Sequence, residues 1–314
     1  MKTRRLTIPA LRLSAVLLGA LACALVAKPQ APWTGAAWAA APEPRGDAKR
    51  GAYVFAAADC ESCHTDKKAK GAFLAGGPPM VTDFGTFFAP NITPDVKNGL
   101  GAWSYEEFHR AVREGKGKGG ELLYPVFPYP SFTGMTDQDI ADLWAYLKTV
   151  PPAAVPSKPQ QAKAPYGFRP LLLGWRVLYF HQGPLKPVAG LSPEVARGRY
   201  LAEAVVHCQE CHSPRNGLGG IEQDKAYAGN PKGPDNQDAP NLTPTAIGKL
   251  TQADLREMLK TGMTPDGDFL ASGMADVVEG TSKLTQADRD AIIAYIRTLP
   301  PRPSTPKPPK SPKK

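Results

Sequence analysis

Two segments of the chain combine thiols and an imidazole at a fixed spacing. Residues 60–64 and 208–212 both read Cys-x-x-Cys-His, and they use every cysteine of the chain except Cys23. In a helix, one turn separates the two sulfurs and the imidazole follows directly. Two such thiols can bond to the vinyl groups along one porphyrin edge while the histidine coordinates the iron. Because Cys-x-x-Cys-His is the attachment pattern of c-type haem, the sequence predicts two covalently bound haem c groups.

The predicted site residues follow directly from this motif. The thioether positions are Cys60, Cys63, Cys208 and Cys211, and the proximal iron ligands are His64 and His212. A thiol redox pair is one rival interpretation, but it does not require the trailing histidine in both segments. A zinc site is the other, and it usually takes four protein ligands. The first half after the N-terminal segment holds only two cysteines and two histidines, so haem is favoured.

The two motifs belong to a longer internal repeat. Three further patterns recur at an offset of 147 to 150 residues: Arg-Gly-x-Tyr at 50–53 and 197–200, Asn-x-Thr-Pro at 91–94 and 241–244, and a helical segment at 135–147 and 284–296. Order and spacing are both kept, which indicates a duplicated domain.

Each copy is expected to be helical. The 104–115 and 251–262 segments begin with Ser or Thr followed three residues later by an acid, and both end at Gly. This pattern is typical of helices with a capping box. The last helix of each copy is predicted to begin at Thr136 or Thr285 and to end before the Pro pairs at 151 and 300. No segment alternates strictly enough to predict strands, so the predicted fold class is all-α.

The first 41 residues predict an export signal. A basic start precedes an apolar run of about 15 residues, 13–27, and small residues at 36–37 and 39–41 place cleavage after Ala39 or Ala41. The run is shorter than the ~18–20 residues that cross a bilayer. An uncleaved anchor and a lipid on Cys23 are the alternatives. The predicted location is therefore the periplasm.

The net charge of +9 comes from the two ends of the chain. Residues 1–41 carry five positive charges and no acid, and the segment from Arg302 onward carries five more. The body between them therefore has a net charge of −1. A basic face that could hold nucleic acid is not indicated.

The sequence divides into five predicted parts: a signal peptide at 1–41, a first domain at 42–152, a linker at 153–190, a second domain at 191–300, and a Pro/Lys-rich disordered tail at 301–314. The linker contains an apolar run at 171–180. We interpret this run as a segment that packs the two domains together. The alternative is a helix that docks on a partner or on a membrane surface.

The chain resembles the cytochrome c family, and more narrowly the periplasmic multi-haem cytochromes that accompany bacterial dehydrogenases of alcohols and sugars. The resemblance covers residues 45–300. It is carried by the haem motifs, the Asn-x-Thr-Pro segments, residues 123–133 and 267–278, and the Gly-Trp pair at 174–175. It implies two tandem class I cytochrome c-like domains, each with one covalently bound haem.

The resemblance also implies a methionine as the second axial ligand of a haem iron. In the second copy Met274 precedes the last helix, where the family places this ligand. Met258 and Met263 are the competitors, but the first falls inside the 251–262 helix and the second directly follows it. Met274 is therefore the predicted ligand of the second iron.

The first copy departs from this pattern. It aligns without a gap from Ser104 onto Thr251, and this register places Phe127 at the position of Met274. A phenyl ring cannot coordinate iron, so the sixth ligand of the first haem is left open. Another side chain is one option, and the candidates are Met80, Met135 and His109. A five-coordinate or water-bound iron is the other.

These observations predict a periplasmic electron-transfer protein. By resemblance, the donor would be a dehydrogenase subunit and the acceptor an oxidase or another cytochrome, and peripheral association with a membrane is left open. The alternative is a di-haem redox enzyme, peroxidase-like or oxidising small sulfur compounds, that uses an open first haem. Against this alternative, the sequence around Phe127 offers no evident acid or base.

Overall fold

The computed structural model describes residues 44–233, 237–271 and 273–307, so the predicted signal peptide lies outside the described residues. The helices in chain order are α1 Ala48–Ala57, α2 Cys60–His64, α3 Tyr105–Glu114, α4 Tyr129–Phe132, α5 Asp137–Leu147, α6 Leu171–Tyr179, α7 Pro193–Tyr200, α8 Gln209–His212, α9 Pro244–Ile247, α10 Gln252–Thr261, α11 Gly273–Thr281 and α12 Gln286–Thr298. The strands are β1 Pro79–Thr82, β2 Gly85–Phe88 and β3 Gln161–Ala162. A π-helical turn, Leu201–Val205, continues α7, and a short 3₁₀ helix spans Gln223–Lys225.

The capped helices are confirmed. At α3 the Ser104 hydroxyl accepts from the Glu107 amide while the Glu107 carboxylate accepts from the Ser104 amide. The same reciprocal pair precedes α10, and a left-handed glycine ends both helices. Each capping box satisfies two amides that the first helical turn would leave unpaired.

The expectation of an all-α fold is wrong, because the first copy contains a small sheet. Strands β1 and β2 form an antiparallel hairpin, and β3, from the predicted linker, pairs with β2. Gly85 begins β2 with φ 139°, and a Cβ there would lie 2.4 Å from the carbonyl oxygen of Gln161. Strands of two to four residues are too short to show an alternating pattern.

The first helix of each copy crosses the last helix at a glycine. A Cβ on Gly51 in α1 would lie 1.9 Å from the carbonyl oxygen of Asp142 in α5. A Cβ on Gly198 in α7 would lie 1.8 Å from that of Ala291 in α12. The glycine of the repeated Arg-Gly-x-Tyr pattern therefore allows the two helix backbones to touch.

The two copies pack against each other in one compact unit. A single hydrophobic cluster contains residues from both, including Val54, Met135, Leu201 and Ile293. Helix α1 of the first copy also contacts α11 of the second. None of the described helices is long and apolar enough to cross a membrane.

The start of the predicted disordered tail follows the surface of the second copy. Asn241 Nδ2 donates to the Arg302 carbonyl at 2.9 Å, and the Thr305 amide donates to the Ala228 carbonyl at 2.9 Å. These bonds hold residues 301–307 against the second copy, and the Pro/Lys composition of the segment did not reveal such distant partners. The disorder expected for 301–314 stays a prediction. Residues 308–314 lie outside the described residues.

Candidate haem-attachment sites

Both Cys-x-x-Cys-His motifs form one short helical turn. Helix α2 contains the whole first motif, and α8 begins directly after Cys208. The residue before each motif, Asp59 or His207, has a left-handed backbone with φ 49°. The two cysteines of each motif are therefore three residues apart in a helix, where side chains lie on the same face.

Each motif histidine is oriented by a backbone carbonyl. Nδ1 of His64 lies 2.7 Å from the Pro90 oxygen, and Nδ1 of His212 lies 2.7 Å from the Pro240 oxygen. A carbonyl only accepts, so Nδ1 carries the hydrogen and Nε2 keeps its lone pair for a metal. Burial lowers the pKa of His64 to about 4 and also lowers that of His212. Both rings are thus neutral near pH 7.

The Asn-x-Thr-Pro segments hold these carbonyls in place. Asn91 follows Pro90, and its Nδ2 donates to the carbonyls of Ala153 and Val155 at 2.8 and 2.9 Å. Its Oδ1 accepts from the amide and hydroxyl of Thr93. Since Asn241 binds the chain after α12 in the same way, the repeated asparagine ties each histidine-orienting loop to the segment beyond the last helix.

The four described motif cysteines are not joined in disulfides. Burial raises the pKa of Cys60 above its usual range and that of Cys208 to about 12. Burial, with smaller contributions from Glu210, Cys63 and Asp59, raises the pKa of Cys211 to about 11. All three groups are therefore neutral thiols near pH 7.

A direct contact between the copies lies next to both motifs. Nε2 of His207, one residue before the second motif, lies 3.4 Å from the carbonyl oxygen of Ala58, two residues before the first. The His207 ring also meets the Phe132 ring at 5.3 Å between centroids. The His207 side chain is therefore held in the interface between the copies.

Two tyrosines cross between the copies, which sequence reasoning did not foresee. Tyr53 donates to Asp288 Oδ2 at 2.6 Å and accepts from the Thr285 amide at 3.0 Å, at the start of α12. In the same way, Tyr200 of the second copy donates to Asp139 and accepts from the Thr136 amide at the start of α5. The tyrosine of Arg-Gly-x-Tyr recurs, but the repeat alone does not say which helix it reaches.

The donor set at each motif fits haem c. Two thiols lie one helical turn apart, and a neutral imidazole keeps Nε2 available beside them. Haem c would be held by thioethers to the cysteines and by the iron–histidine bond, and its iron supplies reversible one-electron oxidation.

The two copies keep the same register as far as Leu123 and Leu270, and the pairing of Phe127 with Met274 stays a prediction. The amides of Leu123 and Leu270 donate to the carbonyls of Gly115 and Gly262, each at 2.8 Å, in equivalent turns. Beyond these turns the two copies differ. Met274 is the second residue of the nine-residue α11, whereas Phe127 precedes the four-residue α4. Phe127 packs against the rings of Tyr129 and Phe132.

Two of the three first-copy candidates are engaged elsewhere. Met135 is 1% exposed in the hydrophobic cluster, and His109 Nε2 lies 2.9 Å from Asp137 Oδ1. Met80 lies in β1, opposite Phe87 of β2. The sixth ligand of the first iron thus stays an open prediction.

Comparison with known proteins agrees with this geometry. The family model of cytochrome c matches residues 48–151 and 195–300, more than half of the chain. A relative described as "Diheme cytochrome c-type", from Cereibacter sphaeroides, is 42% identical over 259 residues, covering 81% of this chain and 86% of its own. This chain belongs to the cytochrome c family.

Two further relatives of the cytochrome are named as subunits. A gluconate 2-dehydrogenase cytochrome c subunit from Pantoea cypripedii is 37% identical over 263 residues, which are 80% of this chain and 59% of the relative. A fructose dehydrogenase cytochrome subunit from Gluconobacter japonicus is 37% identical over 259 residues, which are 80% of this chain and 52% of the relative. The cytochrome thus spans little more than half of these two proteins. It has tandem cytochrome c domains, binds two haem c groups covalently, and transfers electrons.

Proposed function

We propose that this cytochrome works in the periplasm, where it takes electrons from a dehydrogenase subunit and passes them towards the respiratory chain through another cytochrome or an oxidase. The names of the gluconate and fructose dehydrogenase relatives support this donor class. The export signal predicted at 1–41 supports the location.

The proposal assigns one haem to each copy. Cys60, Cys63 and His64 hold the first haem, and the second is held by Cys208, Cys211 and His212, with Met274 as its sixth ligand. The observation that carries the relay is the contact between His207 and Ala58 at 3.4 Å, directly beside both motifs. Two haems attached at neighbouring motifs of one compact unit are suited to exchanging electrons with each other.

Unequal ligation gives this relay a direction. A methionine ligand raises the potential of a haem, and the second copy has Met274 where the first has Phe127. Electrons would therefore pass from the first haem to the second. Potentiometric titration of the holo-protein should resolve two separated steps, and coincident steps would contradict a directional relay.

The assignment of one haem per copy is tested by mass spectrometry. We expect the double substitution Cys60→Ala and Cys63→Ala to remove one covalent haem mass and to leave the other. The matched variant, Cys208→Ala with Cys211→Ala, should do the same at the second site. Retention of both haem masses in either variant would refute the assignment.

The donor is tested by rapid mixing. The oxidised cytochrome is mixed with a dehydrogenase subunit purified from the same cells and with that enzyme's substrate, and haem reduction is followed optically. We expect reduction only when subunit and substrate are both present. Turnover of peroxide by the cytochrome alone, with carbon monoxide binding at one reduced haem, would instead establish the redox-enzyme alternative.

A further inference from the structure

Helix α6, between the two copies, has one bare apolar face. The side chains of Leu173, Val177 and Leu178 are 58%, 82% and 60% exposed, and Leu171 is exposed as well. At 100° per residue these four side chains share one half of the helix circumference. Phe168, just before the helix, is also exposed. A contiguous apolar patch of this kind on a folded protein marks a contact surface.

The opposite face of α6 is fixed to both copies. Trp175 Nε1 donates to the Leu218 carbonyl of the second copy at 3.1 Å. Arg176 Nη1 donates to the Glu114 carbonyl of the first at 2.6 Å. These bonds prevent α6 from turning its apolar side inward, so this side stays directed away from the body.

The chain around α6 carries only positive charge. Residues 143–193 contain six Lys or Arg and no Asp or Glu. Lys163 and Lys186 are exposed, and the Lys163 carbonyl accepts from the Gly167 amide in the turn that leads into α6. The whole body between the two ends has a net charge of only −1, so this positive segment is a local feature.

We propose that the exposed face of α6 lies on an anionic phospholipid surface. Leucine and valine side chains would enter the boundary between headgroups and acyl chains, and the surrounding lysines would meet the lipid phosphates. The charge pattern favours this occupant over a second copy, whose α6 segment would present the same positive charge. The inference rests on the proposed export, which places the protein beside the cytoplasmic membrane.

Binding is tested by sedimenting the holo-protein with vesicles of phosphatidylglycerol and phosphatidylcholine, and with vesicles of phosphatidylcholine alone. We expect binding to the anionic vesicles, weakened by salt because salt screens surface charges. The double substitution Leu173→Gln and Val177→Gln should weaken it by roughly tenfold or more, as the apolar contact is lost. The matched control is Val96→Gln, which changes a valine that is 71% exposed in the first copy and should leave binding unchanged.

The orientation is tested with a thiol at the centre of the face. In holo-protein carrying Val177→Cys, anionic vesicles should slow alkylation by a membrane-impermeant maleimide, while Val96→Cys should react at the same rate with and without vesicles. Unprotected thiol at position 177 would overturn the proposal. Protection of this thiol that grows with protein concentration in the absence of vesicles would also overturn it, because it indicates that a second copy covers the face. Protection by the dehydrogenase subunit and not by vesicles would overturn it as well. Reduction of the double variant by a soluble donor should be unchanged, which separates this test from that of electron transfer.

Discussion

At the scale of single residues, the candidate sites depend on how the histidines are oriented. His64 and His212 each donate from Nδ1 to a proline carbonyl, and a buried asparagine next to that proline ties the loop to the chain beyond the last helix. A backbone carbonyl, and not a charged partner, therefore occupies Nδ1 and leaves Nε2 as the nitrogen that would bind iron. A neutral acceptor of this kind fixes the ring without adding negative charge near the iron.

Replacing Met274 should change one haem only. In Met274→Leu we expect loss of the absorption near 695 nm that marks sulfur on ferric haem, and a fall in one midpoint potential on the order of 0.1 V, since axial ligands tune haem potentials over ~0.8 V. Optical spectroscopy and potentiometry make the measurement. Met263→Leu, a methionine near the end of α10, is the control. If Met263→Leu abolishes the band and Met274→Leu does not, the assignment of Met274 is wrong.

At the scale of elements, the repeated Arg-Gly-x-Tyr pattern serves two contacts. Its glycine lets the first and last helices of one copy touch, while its tyrosine reaches the last helix of the other copy. One short motif thus fixes both the packing within a copy and the packing between copies. This explains why the glycine and the tyrosine recur at the same distance from each other in both copies.

The close helix crossing predicts that the free energy of unfolding depends strongly on Gly198. In Gly198→Ala the new Cβ would lie 1.8 Å from the Ala291 oxygen, so the helices must separate. We expect a loss of about 3 kcal/mol in the free energy of unfolding, at the upper end for overpacking. Gly174→Ala is the matched control, because nothing lies within 4 Å of that Cβ and alanine favours a helix by about 1 kcal/mol. Denaturant titration measures both variants. A Gly198→Ala variant as stable as the unsubstituted protein would contradict the close crossing.

The Asp288 carboxylate, which accepts a hydrogen bond from Tyr53, predicts that stability depends on pH. Burial raises the pKa of Asp288, but hydrogen bonds from Arg197 and Tyr53 outweigh burial and lower it. A lowered carboxyl pKa stabilises the folded state above the unfolded value of about 3.9, and this stabilisation is lost as pH falls through the folded pKa.

We therefore expect Asp288→Asn to lower the free energy of unfolding by about 1 kcal/mol near neutral pH, a value reduced by solvent screening of the half-exposed Arg197. The difference from the unsubstituted protein should shrink as pH falls through the lowered pKa of the folded Asp288 carboxyl, because the ion pair is lost when this group is protonated. Denaturant titrations across this range make the comparison, with the exposed Asp83→Asn as control. A difference that persists unchanged at low pH would show that the ion pair is not its cause.

At the scale of the whole molecule, two repeated halves form one cooperative body. The hydrophobic cluster spans both copies, and the tyrosines, His207 and the ion pair between Lys67 and Glu279 at 2.5 Å cross the interface. An interface that shares a core does not leave two independently moving domains. The haem motifs therefore keep one relative placement.

The shared core predicts a single unfolding transition. Thermal unfolding of the holo-protein should give coincident curves from haem absorbance and far-ultraviolet circular dichroism, as expected for one cooperative unit. The double substitution Tyr53→Phe and Tyr200→Phe should lower the free energy of unfolding by about 2 kcal/mol, roughly 1 for each lost hydrogen-bonding hydroxyl. Tyr105→Phe, whose hydroxyl bonds within the first copy, serves as control. Two separate transitions in the unsubstituted protein would disprove the shared core.

The sequence by itself determined the cofactor class, the duplication and the capped helices. The cofactor class and the capped helices depend on residues that are close in the chain, such as Cys60 with His64 or Ser104 with Glu107, and these stay close in space. The duplication is visible because the same short patterns recur in the same order. Only the tertiary structure decided the strand pairing, the docking of residues 301–307, the reach of Tyr53 and Tyr200 into the opposite copy, and the position of His207. These features join residues far apart in the chain, and their partners are selected by the packing of the complete molecule, which no local pattern encodes.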